Sequence, residues 1–253
     1  MGAQLFIVTG HSRGMGEAIA ARLLAPGHTV IGLSRRTNEA LARQAEQRSA
    51  TLEQWPVDLT EALPAARRLR DTLAGFDAQR FERAVLINNA GAIDTPTAIR
   101  DADLAGLAKT LRIDLEATAL LCAAFLDATR SWSGQRRVLN ISSGLGRRAM
   151  ASSAAYCAAK AGMDHLTRCL ALEEALVPNG ARVLSLAPGV IDTDMQVQLR
   201  TADAKAFPDR ERFVALQREG QLTSADAAAA RVLACLDRPD FGEPPIGDVR
   251  ELA

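Results

Sequence analysis

The octapeptide Thr9-Gly10-His11-Ser12-Arg13-Gly14-Met15-Gly16 constrains this chain more than any other segment. It lies between an apolar run ending at Thr9 and the helix-like stretch GEAIAARLL. Glycine adopts backbone conformations closed to other residues and lets another group approach the main chain closely. A strand, a glycine turn and a helix in that order aim free N–H groups and the positive end of a helix dipole at one point, where the pyrophosphate of a dinucleotide can bind. A glycine-rich turn alone can be no more than a tight bend with close helix packing. With a strand before it and a helix after it, Gly10, Ser12, Arg13, Gly14, Met15 and Gly16 become candidates for holding cofactor phosphates.

The rest of the chain repeats the same alternation. Short apolar or β-branched runs at 5–9, 29–34, 52–57, 83–88, 137–142 and 182–187 read as strands. Between them lie stretches rich in Ala, Leu, Arg and Glu, such as 16–24, 39–48 and 63–73, with helical spacing. Strand and helix in alternation predict an α/β fold, a Rossmann-type doubly wound parallel sheet with helices on both faces. With 253 residues, 48% of them hydrophobic, one domain over 1–253 is expected to have enough material for its core. After Pro188 the pattern breaks. The segment 192–220 is polar, contains Pro208 and reads as an excursion with short helices, placed to act as a substrate lid. A helix at 224–236 and a weak strand at 246–249 bring the sheet to about seven strands.

Charge narrows the partners. Thirty basic residues balance thirty acidic ones, so no long-range field attracts nucleic acid or an anionic membrane. No apolar run approaches the roughly 20 residues of a membrane span, and the N-terminal residues lack the pattern of a secretory signal. Cys122, Cys157, Cys169 and Cys235 are scattered without metal-ligand spacing, which suggests no metal site and fits a reducing compartment. A cytoplasmic protein is expected.

The second strand candidate ends in Ser34-Arg35-Arg36, where such folds read the adenosine ribose. An acidic residue there would accept from the 2′-hydroxyl of NAD. Arginines instead bind the 2′-phosphate of NADP through charge-assisted hydrogen bonds, so the pair favours NADP(H), with Arg13 placed to close on the same phosphate. The plainer alternative is a pair of solvated surface arginines.

Further along, the residues resemble the short-chain dehydrogenases/reductases. TGHSRGMG at 9–16 is similar to that family's cofactor fingerprint, and its other motifs follow in order over nearly the whole chain. The resemblance implies that Asp58 and Leu59 contact the adenine ring, and that Asn88, Asn89, Ala90 and Gly91 support the central sheet beside the cofactor. It also implies that Pro188, Gly189, Val190 and Thr193 belong to the cofactor-binding PGxxxT element. Ser143 matches the catalytic serine, and Tyr156 with Lys160 matches the YxxxK motif. Ser143 lies thirteen residues before Tyr156, the family's usual spacing, whereas Ser142 would point to the other face of a strand. Four residues apart on a helix, Tyr156 and Lys160 share a face. An ammonium beside a phenol is expected to lower its pKa from about 10 towards a useful general-acid range. The family further implies that Lys160 binds the nicotinamide ribose. One departure stands out. Where the family commonly has asparagine in a helix, with its backbone helping to hold a water near the lysine, this chain has Asp114, which adds a charge near Lys160.

Within the family, APGVIDTDMQVQLR at 187–200, RFVALQREGQL at 212–222 and GDVREL at 247–252 resemble the benzil reductase and sepiapterin reductase-like branch. That resemblance implies reduction of a ketone or vicinal diketone, a small-molecule carbonyl substrate. A 3-oxoacyl thioester reductase, or an NADPH-holding redox sensor without turnover, stays open as an alternative. Leu145, Met150, Val190, Met195 and Leu199 are the expected substrate wall. Arg147 and Arg148 read either as a solvated pair or as a site for an anionic substrate. The family also implies a homodimer or homotetramer formed through the helices at 114–128 and 155–176.

Overall fold

In the computed structural model, which describes residues 2–251, seven strands form one parallel sheet. They are β1 (Gln4–Thr9), β2 (His28–Ser34), β3 (Thr51–Pro56), β4 (Arg83–Asn88), β5 (Gln135–Ile141), β6 (Arg182–Ala187) and β7 (Ile246–Asp248), in the order β3-β2-β1-β4-β5-β6-β7. The helices are α1 (Gly14–Leu23), α2 (Glu39–Gln47), α3 (Ala62–Ala74), α4 (Leu104–Leu111), α5 (Ala117–Thr129), α6 (Ala154–Glu174), α7 (Asp194–Arg200), α8 (Arg210–Arg218) and α9 (Ala225–Leu236). Every strand pairing is parallel, so the loops after β1, β2, β4, β5 and β6 gather along one edge of the sheet. The strand order reverses between β1 and β4. A crevice at such a reversal is where parallel sheets bind ligands.

Two apolar layers cover the sheet, and the two-residue period of a strand divides its side chains between them. On β1, Phe6 and Val8 face α1 and α9, while Leu5 and Ile7 face α3 and α5, and all four are fully buried. This explains why β1 reads as a continuous apolar run. A buried Leu, Ile, Val or Phe contributes roughly 1.5–3 kcal/mol by leaving water, so a polar substitution in the middle of β1 would disrupt the layer that its side chain faces.

The expected boundaries shift where local chemistry decides them. Helix α1 starts at Gly14, two residues before the predicted Gly16, because the extended backbone at Arg13 (φ −160°, ψ 168°) ends the turn there. The segment 192–220 does hold short helices, α7 and α8, and a bridge between Ile191 and Thr223 ties its two ends together. The helix expected at 114–128 begins instead with a π turn over Arg112–Glu116, inserted between α4 and α5, in which Ala117 N–H donates to the Arg112 carbonyl. On α6, Leu172 is 72% exposed and, just past its end, Leu176 is 85% exposed, within the segment where the resemblance places subunit contacts. No helix among the described residues is long and apolar enough to cross a membrane.

Candidate active site

The glycine turn closes onto its neighbours without spare room. Gly10 has φ +71°, and a Cβ on Gly16 would lie 2.2 Å from the Gly10 carbonyl oxygen, so only glycine fits at the start of α1. Thr9 Oγ1 accepts from the N–H groups of Asn89 and Ala90, both at 2.9 Å, and Asn89 Nδ2 donates back to the Thr9 carbonyl at 2.9 Å. These bonds lock the turn after β1 to the loop after β4. The first turn of α1 carries no side-chain cap, which leaves its N–H groups free to bind phosphate. A dinucleotide pyrophosphate fits this cradle.

The ribose end lies after β2. Arg35 and Arg36 are exposed, while Ser34 is buried and its hydroxyl donates to the Arg36 carbonyl at 2.6 Å. Asp58 accepts from the Thr60 N–H and hydroxyl, both at 2.9 Å, which hold its carboxyl below the usual range, and the charges of Arg35 and Lys109 add to this. Leu59 beside it is buried. Arg13 does not stand free in the turn as the sequence suggested. Its guanidinium is ion-paired with Asp194 at the start of α7, both side chains remaining exposed.

At the next loops the catalytic candidates converge. Ser143 follows β5 in extended conformation, and its Oγ accepts from Leu145 N–H at 3.2 Å. Tyr156 and Lys160 lie one turn apart on α6, both buried, with Lys160 Nζ 5.6 Å from the centre of the Tyr156 ring. The expected lowering of the phenol pKa does not occur here. Burial pushes it up, the Asp114 carboxylate adds to the rise, and a hydrogen bond with Ser143 works in the opposite direction. The Lys160 ammonium is engaged elsewhere: it donates to the Ile141 carbonyl at 3.0 Å and sits 3.7 Å from Asp114 Oδ2.

Asp114 is fully buried within the π turn, and its Oδ1 accepts from Ala92 N–H at 2.7 Å. Burial raises its carboxyl pKa, opposed by Lys160 and the Ala92 N–H. The π turn thus delivers a carboxylate, rather than only a bent backbone, to the lysine.

Leu145, Met150 and Leu199 join Tyr156, Phe207 and Phe213 in one buried apolar cluster, with Met195 packed against it. Val190 lies outside that cluster, since Thr223 N–H binds its carbonyl at 2.9 Å and holds it in the loop after β6. Gly189, in the same loop, has φ +84°, and Pro188 beside it is buried. Thr193 caps the start of α7 in extended conformation, at the side of the glycine turn. Beyond Gly91, sequence reasoning missed residues 93–99 of the segment after β4. Ile93, Thr95, Thr97 and Ile99 line a small cleft with Ser152 and Tyr156. Its signal was topological: a loop after β4 must emerge at the same sheet edge as the loops after β1 and β5. Arg147 and Arg148 are both exposed, and Arg147 Nε also lies 3.4 Å from the buried Asp164 carboxylate.

The chain is 35% identical over 243 residues to a benzil reductase, (S)-benzoin forming, from Bacillus cereus, with 96% of each protein covered. It is 32% identical over 253 residues to sepiapterin reductase from Rattus norvegicus, covering 95% of this chain and 94% of the relative. Among solved structures, a metagenomic short-chain oxidoreductase in complex with NADP superposes with a TM-score of 0.70 at 26% identity, covering 93% of this chain and 91% of that one. Residues 4–204 match the short chain dehydrogenase family, and the chain is an oxidoreductase that belongs to it.

Proposed function

We propose that this protein is an NADPH-dependent carbonyl reductase acting on a ketone or vicinal diketone. The observation that carries the reading is the meeting of Tyr156, Ser143 and Lys160 with the apolar cluster of Leu145, Met150, Leu199, Phe207 and Phe213 at one sheet edge. Exposed Arg35 after β2 supports the phosphorylated cofactor. The glycine turn, the first turn of α1, Arg35, Asp58, Asn89 and Thr193 would hold it, and bound NADPH supplies the hydride. Tyr156 donates its phenolic proton to the substrate oxygen, and the Ser143 hydroxyl, already held by Leu145 N–H, orients that oxygen. Lys160 is held beside Tyr156 by Asp114 and the Ile141 carbonyl. The apolar wall excludes water and favours an aryl or alkyl group.

A panel of benzil, an aryl-alkyl diketone, sepiapterin and an acetoacetyl thioester, offered with NADPH or NADH, tests this by loss of nicotinamide absorbance. Diketone turnover with NADPH is expected. Preference for the thioester would move the protein to another branch, and NADPH binding without any turnover would make it a cofactor-holding sensor.

Asp114 gives a second test. Its charge raises the Tyr156 pKa, and reduction needs the protonated phenol, so activity falls as pH rises through that pKa. Asp114→Asn keeps the acceptor for Ala92 N–H and removes the charge. The alkaline decline of the reductase profile should then move to lower pH. An unchanged or upward-shifted decline would show that Asp114 does not act on the phenol.

A further inference from the structure

One buried carboxylate outside the catalytic set grips both ends of the turn that carries Ser143. Asp164 lies on α6 one helical turn beyond Lys160 and is 2% exposed. Its Oδ1 accepts from the hydroxyl of Ser142, the residue just before Ser143, at 2.6 Å, and from the hydroxyl of Ser185 on β6, also at 2.6 Å. Its Oδ2 lies 3.4 Å from Nε of Arg147, which closes the far side of the same turn. Arg147 then reaches across to β7, where Nη2 donates to the Gly247 carbonyl at 2.8 Å.

Between those anchors the turn is a closed unit. Gly146 N–H donates to the Ser143 carbonyl at 2.9 Å, and Arg147 and Arg148 N–H both donate to the Gly144 carbonyl at 3.2 Å. It also lies flush on α6: a Cβ on Gly146 would be 2.9 Å from Asp164 Oδ2 and 3.0 Å from the Lys160 carbonyl oxygen. Nothing larger than glycine fits between the turn and the helix. Ser143 and the Tyr156–Lys160 pair therefore sit on two elements whose separation is set at Asp164.

We infer that Asp164 and Arg147 are positioning residues, a carboxylate–guanidinium clamp that fixes the turn bearing Ser143 at its working distance from Tyr156. The catalytic consequence rests on the carbonyl reductase reading, while the clamp itself does not. A hydrogen bond from a loop hydroxyl to a reacting oxygen tolerates little displacement, and a misplacement of about 1 Å can cost on the order of a hundredfold in rate. Charge also favours keeping the clamp intact, because removing Arg147 would leave a buried carboxylate without its counter-charge.

Arg147→Met and Asp164→Asn separate this role from a general structural one. The first keeps the aliphatic stem of a side chain that is 31% exposed. The second keeps an oxygen to accept from both serines while presenting an amide N–H₂ to Arg147. In cofactor-free protein, hydrogen exchange at residues 145–148 should accelerate in each variant, while the amides of β1 keep their wild-type rates. With NADPH and a diketone, kcat should fall by about tenfold to a hundredfold, with NADPH Kd close to that of wild type. The double variant should be no slower than the worse single one, as expected for two halves of one contact. Unchanged exchange at 145–148, acceleration spread equally to β1, or faster exchange with kcat intact would each overturn the clamp. If Asp164→Asn does not fold, Arg147→Met decides alone. A wild-type protein that turns over no carbonyl would sink the proposed reaction, and the exchange measurement would still judge the clamp.

Discussion

Tyr156→Phe is expected to lower carbonyl reduction by about 10²–10⁴-fold, the usual contribution of a positioned general acid, while NADPH binds as it does to wild type. The substitution removes one oxygen from a buried ring and leaves its packing against Leu145, Met150, Leu199, Phe207 and Phe213 in place. Tyr156 is the only tyrosine in the chain, so no neighbouring phenol can substitute for it. Its raised pKa favours the protonated form, which is the form a reductase needs when the substrate oxygen takes up a proton. Steady-state absorbance at saturating NADPH reads the rate, and quenching of protein or nicotinamide fluorescence reads binding. Turnover within a few-fold of wild type would remove Tyr156 from the acid role, and parallel loss of NADPH binding would point to collapse of the site.

Much of this geometry was legible in the sequence, because the signals concerned are local and periodic. Strands β1, β4, β5 and β6 are buried on both faces, and the unbroken apolar runs at 5–8 in β1 and 84–87 in β4 stand out between helices. The four-residue step from Tyr156 to Lys160 fixes a shared helix face whatever surrounds it. Alternation along a strand set Ser143 apart from Ser142, and in the folded chain the Ser142 hydroxyl turns to Asp164.

What escaped the sequence depends on groups far apart in the chain. The tilt of Lys160 towards Ile141 and Asp114, and with it the direction of the Tyr156 pKa, follows from burial that no local pattern encodes. The π turn at Arg112–Glu116 has no sequence signature that separates it from an ordinary helix, since only one added residue per turn distinguishes them. Arg147 and Arg148 are both exposed, as a solvated pair would be, and what the sequence hid is the Asp164 partner of Arg147, seventeen residues ahead on another element. Arg13 was turned towards the phosphate in sequence reasoning, whereas Asp194, 181 residues away, claims it in the folded chain.

Cofactor choice rests on the simplest contrast in the site. A 2′-phosphate carries roughly −1.5 to −2 charges near neutral pH, by analogy with other phosphomonoesters, and NADH has a neutral hydroxyl at that position. Hydrogen bonds to charged groups contribute on the order of 1.5–3 kcal/mol, which corresponds to about tenfold to a hundredfold in affinity. Arg35 is exposed, so screening by solvent and salt places the effect towards the lower end of that range. Arg35→Ala should therefore weaken NADPH by at least about tenfold and leave NADH nearly unchanged. Raising ionic strength should weaken NADPH more than NADH for the same reason. Ser34→Asp should go further. The Ser34 hydroxyl now donates to the Arg36 carbonyl at 2.6 Å, and a carboxylate cannot donate that bond, so the substitution frees the Arg36 loop. It also offers an acceptor to a ribose 2′-hydroxyl and repels a 2′-phosphate, and the two effects together should turn the preference towards NADH. Titration of both cofactors against wild type and the two variants at low and high salt decides the matter. Equal affinity of wild type for NADH and NADPH, or the same fold-loss of both on Arg35→Ala, would end the assignment of Arg35 to the phosphate.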